Sequence, residues 1–366
     1  MQKKYKIIII KIGTAVLTKA GGGLNVNVIR GICRQIAKLT VSGYKIVVVS
    51  SGAIGAGLKL ANAKQRPQKL SKLQAAAAIG QSKLMRLYED CLHKHNLHAA
   101  QILLTQEDLR QRIRYVNAAN TIYELFESYS AIPIINENDT VATDEIKFGD
   151  NDRLCVLVAG LVNAEQIIFL TSVDGLTSPE TGRVLRLVTK IDNSIMGMAT
   201  KDVGVFAIGG MQSKLKAVKS AVLSGISCVI ANGKQKNVIL KIINNEATGT
   251  VFVGQKQVHS AKKRWIKFCP KTKGSIIVDI GAKKALLERG KSLLASGIKG
   301  IEGDFIASDV VIIKDTNGSE FAGGVVNFSA RELEKIAGVK TSDLHKILKR
   351  KVVHEEVIHR NNMVVL

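Results

Sequence analysis

Residues 6–52 read KIIIIKIGTAVLTKAGGGLNVNVIRGICRQIAKLTVSGYKIVVVSSG, and the order of patterns in this stretch decides the fold. Two short apolar runs, 6–12 and 45–49, end in small residues, Gly13-Thr14 after the first and Ser50-Ser51-Gly52 after the second. Between them Val28, Ile29, Ile32, Ile36 and Leu39 recur at helical spacing, and Gly43 closes that helix. Near-continuous apolar runs belong to strands buried on both faces, so this is a strand–helix–strand unit. The alternation continues outward. A long helical stretch covers 70–95, with the helix-forming run 74–78. Strands are predicted over 101–104, 132–135, 166–170 and 227–230, and helices over 116–127, 152–162 and 212–223. Such a series predicts an α/β fold, a mostly parallel open sheet sandwiched by helices.

The pattern breaks near residue 255. Lys262, Lys263, Arg264, Lys267, Lys271 and Lys273 cluster there with the only tryptophan, Trp265, and with Pro270. After this cluster come short strands over 275–279, 310–314 and 323–327, Gly-rich turns and two short helices. The expected division is a domain over 1–255, a linker over 256–273 and a small mainly-β domain over 274–366, which suits a chain of 366 residues.

Composition narrows the function classes. Hydrophobic residues make up 46%, enough for a buried core. No apolar run reaches the roughly 18–20 residues of a membrane span, and Lys11 stops the run 7–10 well short of a signal-peptide core of about 7–15 residues. Cys33, Cys91, Cys155, Cys228 and Cys269 are scattered, with no CxxC pair, which predicts free thiols in a reducing, cytoplasmic setting. His93, His95 and His98 read as a solvated helix end rather than a metal site, and no metal-ligating residues are expected. The net charge of +23 favours anionic partners, whether nucleotides, acidic metabolites or nucleic acid. A generally basic, soluble surface explains it equally well.

In open α/β sheets ligands bind beyond the C-terminal ends of the strands, and the chemistry-bearing residues of this chain fall there. They are Lys11-Ile12-Gly13-Thr14, then Ser50-Ser51-Gly52-Ala53, then Asn136-Glu137-Asn138-Asp139 followed by Gly149-Asp150-Asn151-Asp152, and then Thr171. Gly209-Gly210-Met211-Gln212-Ser213-Lys214 opens a later helix. Glycines let backbone N–H groups approach phosphate. Two lysines, Lys11 and Lys214, can balance the charge on a phosphoryl group in flight. Lys11, ending a buried strand, is hard to explain by solvation. The Gly-Gly pair alone is as often a turn, and the carboxylates around residue 150 alone could be a solvated loop. There is no GxxxxGK[ST], and Gly52, Gly55 and Gly57 stand in the wrong order for a dinucleotide fingerprint. GxSxG, HExxH and the zinc-deaminase signature are also missing.

Taken together, IIKIGTAVLT, VVVSSGAIGAG, PIINENDTVAT, IKFGDNDRL and GGMQSKL resemble the amino-acid kinase family, in its branch that phosphorylates glutamate. The segment GAKKALLERGKSLLASGIKGIEGDF resembles a PUA domain, which characterises that branch. The resemblance implies ATP-dependent phosphorylation of the γ-carboxylate of L-glutamate to glutamyl 5-phosphate, the first step of proline biosynthesis, with ATP and Mg²⁺ as cofactors. It implies Lys11 and Lys214 at the phosphoryl group, with Asp150 holding and orienting them. Ser51, Asp139 and Asn151 would bind glutamate, the Asp139 carboxylate suiting its α-ammonium, and Asp152 would help order the substrate. Nucleotide contacts fall to Lys11, Gly13, Thr14, Thr171, Ser172, Gly210, Met211 and Lys214. The family usually has Thr-Asp where this chain has Thr171-Ser172; Asp174 could compensate. A carboxylate nucleophile is already ionised at pH 7, with an unperturbed pKa of about 4.3, so the mechanism is direct in-line attack without a general base. The family also implies a homo-oligomer (dimer or tetramer), feedback inhibition by proline, and coupling to an NADPH-dependent glutamyl phosphate reductase. The alternative is an RNA-binding protein acting through the PUA-like domain. Against it, aromatic residues make up only 4% of the chain, and readers of single-stranded RNA rely on aromatic stacking.

Overall fold

A computed structural model describes residues 5–19, 23–61, 67–142, 150–199, 210–255, 272–349 and 355–365, with residues 110, 112 and 150 described by backbone alone. The chain divides into two compact units, Met1–Val258 and His259–Leu366. Most of the expected linker, 256–271, lies outside the described residues.

The first unit is built on eight strands: β1 (Ile7–Ile12), β2 (Lys45–Val49), β3 (His98–Leu104), β4 (Ala131–Glu137), β5 (Gln166–Thr171), β6 (Leu187–Val188), β7 (Ser227–Asn232) and β8 (Thr250–Phe252). Their order is β3-β4-β2-β1-β5-β7-β8-β6, and every pairing is parallel except β7–β8. The helices are α1 (Thr14–Leu17), α2 (Val26–Val41), α3 (Ala53–Leu60), α4 (Leu70–Leu92), α5 (Gln106–Arg110), α6 (Arg112–Glu127), α7 (Asp150–Leu161), α8 (Asn193–Met198), α9 (Gly210–Leu223) and α10 (Val238–Ile243).

The central position of β1 explains its sequence. With β2 on one side and β5 on the other, all six of its residues are buried. Ile8, Ile10 and Ile12 pack into the core formed with Ile29, Ile32, Cys33 and Ile36 of α2 and with Leu84 and Tyr88 of α4. Side chains alternate along a strand, so Lys11 leaves on the opposite face, the one covered by α7.

The predicted elements are present, with bounds that differ by a few residues. α3 is an addition to the predicted elements: Gly52 turns the chain in the left-handed region (φ 95°), and the helix starts directly after it despite Gly55 and Gly57. Gly57 and Gly80 then let α3 and α4 cross at backbone distance. A Cβ on Gly57 would lie 1.8 Å from the Ala76 carbonyl oxygen, and one on Gly80 1.8 Å from that of Ala53.

The second unit contains β9 (Gly274–Val278), β10 (Ile298–Gly303), β11 (Val310–Asp315), β12 (Glu320–Val325) and β13 (Met363–Val365), in the order β10-β9-β11-β12-β13. The helices α11 (Ile280–Arg289), α12 (Ala330–Ile336) and α13 (Leu344–Leu348) accompany it. β10 and β13 went unread in the sequence. β10 is an edge strand interrupted by glycines, and β13 has only three residues. This unit has its own core, including Ile276, Val278, Val311, Ile313, Phe328 and Leu333.

Candidate active site

The site lies at the C-terminal ends of β1, β2, β4 and β5 and is built around three buried charges. Lys11, the fifth residue of β1, is 6% exposed, Asp152 in the first turn of α7 is 2% exposed, and Lys214 in α9 is 7% exposed. The Asp152 carboxylate bridges the two cations: Oδ1 lies 2.6 Å from Lys11 Nζ, and Oδ2 lies 2.9 Å from Lys214 Nζ. An isolated buried ammonium costs several kcal/mol, so one carboxylate shared by two lysines is what keeps both at this depth. Lys214 also sits 5.7 Å from the centre of the Phe169 ring, whose face attracts a cation.

These charges shape one another's titration. Burial works against the ionised Asp152 carboxylate, but the two lysines outweigh it and hold its pKa below the ordinary value. Burial, and after it the charge of Lys11, pushes Lys214 down to about 8, with Asp152 opposing. One carboxylate for two ammonium groups leaves a net positive centre, which suits a phosphoryl group.

Beside this centre runs a chain of amides. Asn151 Nδ2 lies 3.0 Å from the Ser50 carbonyl, 3.0 Å from Asn136 Oδ1 and 3.2 Å from Ser51 Oγ. Asn136 Oδ1 also accepts from the Glu137 backbone N–H at 3.0 Å, while Asn136 Nδ2 donates to Gln81 Oε1 at 2.9 Å. Ser50 Oγ meets the hydroxyl of Tyr88, fully buried in α4, at 2.9 Å. At the end of β4, a pocket of about 200 Å³ is lined by Gln81, Ser82, Asn138 and Asp139 among others.

Of the expected residues, Lys11, Lys214 and Asp152 meet directly, and Ser51 and Asn151 adjoin them. The bridging position expected for Asp150 is held by Asp152; the Asp150 side chain lies outside the described residues. The two carboxylates stand only two residues apart, and the packing of α7 against β1 gives the bridging place to Asp152. Gly13 also differs from expectation. Its N–H donates to the Leu170 carbonyl at 2.9 Å, extending the β1–β5 pairing, so it is not available to a phosphate. Thr14 is exposed at the start of α1, and Thr171 is half-buried at the end of β5, with Ser172 exposed beside it. Asp174 Oδ1 accepts from Asn232 Nδ2 and Gln235 Nε2, tying the ends of β5 and β7 together. Gly210 and Met211 open α9, one turn before Lys214.

Sequence reasoning missed Gln81 and Tyr88 as parts of the site, and it placed Ser50 and Asn136 at the strand ends without giving them a role. Gln81 and Tyr88 stand seven residues apart, two helical turns, on the buried face of α4. A glutamine on an otherwise apolar face was the available signal.

A three-charge centre at the strand ends, with amide groups beside it, is the arrangement that a phosphoryl-transferring α/β enzyme needs. Consistent with it, the amino acid kinase family model matches residues 6–232.

The chain belongs to the amino acid kinase family.

A PUA domain model matches residues 274–348, and the chain is similar along nearly its whole length to glutamate 5-kinases. It is 44% identical to a glutamate 5-kinase of Syntrophus aciditrophicus, the match covering 100% of this chain and 95% of that protein. Identity is 43% to one from Caldanaerobacter subterraneus subsp. tengcongensis, covering 98% and 97%, and 41% to one from Nitrosococcus oceani, covering 98% and 96%. As an amino acid kinase the chain is read as an enzyme that uses ATP. Among the described residues, no helix is long and apolar enough to cross a membrane.

Proposed function

We propose that this amino acid kinase transfers the γ-phosphoryl group of ATP to the side-chain carboxylate of L-glutamate, forming glutamyl 5-phosphate at the head of proline synthesis. The observation that carries the reading is the buried Lys11–Asp152–Lys214 centre, supported by full-length similarity to glutamate 5-kinases. The glutamate γ-carboxylate attacks in line. Lys11 and Lys214 neutralise the oxygens of the group in transit, and Asp152 keeps their ammonium groups aimed. No proton has to leave the nucleophile, so a site of lysines and amides suffices.

Ser51, Asn151 and Asp139 hold the amino acid, and the start of α9 with the β5 end, Thr171 and Ser172, takes the nucleotide. Mg²⁺ would come with the phosphates of ATP and screen their charge. Both Asp152 oxygens already face lysines, and the described residues contain no cluster of three or more potential ligands. Four buried free thiols fit a cytoplasmic enzyme. A homo-oligomer, proline as inhibitor at the glutamate loops, and a reductase consuming the labile acyl phosphate complete the reading.

The test is an ATP-dependent hydroxamate assay, which traps acyl phosphates, with glutamate, acetylglutamate, aspartate and carbamate in parallel. Hydroxamate from glutamate alone is the expected result. Its absence with glutamate, in folded protein that binds ATP, would refute the reading.

A further inference from the structure

The amide chain beside the catalytic charges has a fixed direction. The Ser50 carbonyl can only accept, so Asn151 presents Nδ2 to it. The Glu137 backbone N–H can only donate, so Asn136 presents Oδ1 to it and to Asn151. Asn136 Nδ2 is left to donate, and Gln81 must meet it with Oε1. Two polar atoms remain at the ends of the chain: Asn151 Oδ1, an acceptor, and Gln81 Nε2, a donor. Both are buried, and neither has a hydrogen-bond partner among the described residues. Gln81 is 8% exposed and lines the pocket that also holds Asp139. An unmet buried donor or acceptor costs about 1–3 kcal/mol, and such groups are found where a ligand completes them.

One acceptor and one donor at the two ends of a single amide chain, the donor in the pocket that holds the Asp139 carboxylate, match the head of a zwitterionic α-amino acid. We propose that Gln81 is a specificity-determining residue that donates from Nε2 to the α-carboxylate of the amino-acid substrate, while Asn151 Oδ1 accepts from its α-ammonium. An ammonium has three N–H groups, so Asp139 and Asn151 can both serve it. The assignment rests on the glutamate reading above. It gives α4 a chemical role: the Gly57–Gly80 crossing, one residue before Gln81, sets how far its amide reaches towards the site.

The experiment compares wild type, Gln81→Glu and Gln81→Met with glutamate and with its α-amide, isoglutamine, whose γ-carboxylate is intact. Gln81→Glu keeps an acceptor for Asn136 Nδ2 and replaces only the donor. The KM for glutamate should rise about tenfold or more in both variants, with the KM for ATP within about twofold, the size of a lost hydrogen bond to a charged group. Selectivity for glutamate over isoglutamine, as a ratio of kcat/KM, should fall about tenfold in Gln81→Glu, whose carboxylate can accept from the carboxamide. Should Gln81→Glu not fold, Gln81→Met carries the same KM comparison. A role confined to packing would lower thermal stability while leaving the glutamate KM and the selectivity ratio unmoved, and that result would overturn the assignment alone. A wild-type enzyme that makes no acyl phosphate from glutamate would overturn the function and the assignment together.

Discussion

At the residue scale, the site depends on Asp152 balancing two lysines. Lys11→Met keeps an apolar stem of similar length and leaves Asp152 paired with Lys214, so folding should change little. Turnover should fall about 100-fold or more, as when a transition-state charge partner is removed, and steady-state kinetics beside a thermal melt would separate the two effects. Asp152→Asn is the harsher change. Both buried ammonium groups lose their counter-charge, and stability should drop by about 3–5 kcal/mol in urea unfolding. Lys214 adds a pH dependence of its own. With its pKa depressed to about 8, the ammonium is lost in the free enzyme as pH rises through that value, and kcat/KM should decline above about pH 8. The linkage to stability runs the other way. Between the folded value and the ordinary lysine range the unfolded chain binds the extra proton, so this group's contribution to stability rises with pH there. Activity and stability curves that fell together above pH 8 would show that another group governs the loss.

Among the elements, the α3–α4 crossing is the least forgiving. A methyl group at Gly57 or Gly80 would collide with a carbonyl oxygen of the facing helix, and neither backbone can yield without moving Gln81 or the Ser50–Gly52 turn. Gly80→Ala should therefore cost about 3 kcal/mol or more, beyond ordinary overpacking, and should raise the glutamate KM as well. Gly31, inside α2, makes the contrast. A Cβ there meets nothing within 4 Å, so Gly31→Ala should stabilise by about 0.5–1 kcal/mol through helix propensity. Chemical denaturation of the two variants side by side checks both signs. A stabilised Gly80→Ala would mean that the helices are not in contact as described.

On the scale of the whole molecule, the two units have separate cores. A fragment covering residues 272–366 should therefore show its own cooperative melt by circular dichroism, whereas a structureless fragment would contradict an independent core. The amino-acid sequence by itself determined the parallel α/β sheet. Runs such as IIII and KIVVV can be buried only as central strands, and that reading needs no partner. It also marked which strand ends carry chemistry, because Lys11 stands at the end of β1 and Ser51 and Asp139 lie two residues beyond β2 and β4. Local pattern could not show where side chains separated by tens of residues converge. Asp150 and Asp152 look alike in sequence, and only the direction of α7 against β1 gives the lysines to Asp152. Gly13 looked like a phosphate donor until its N–H met the Leu170 carbonyl of the neighbouring strand. Gln81 stands 55 residues from Asn136, and their hydrogen bond exists because two glycines bring α3 and α4 into backbone contact. Periodicity along the chain fixes elements, whereas the pairing of charges and amides depends on distances that only the packed structure sets.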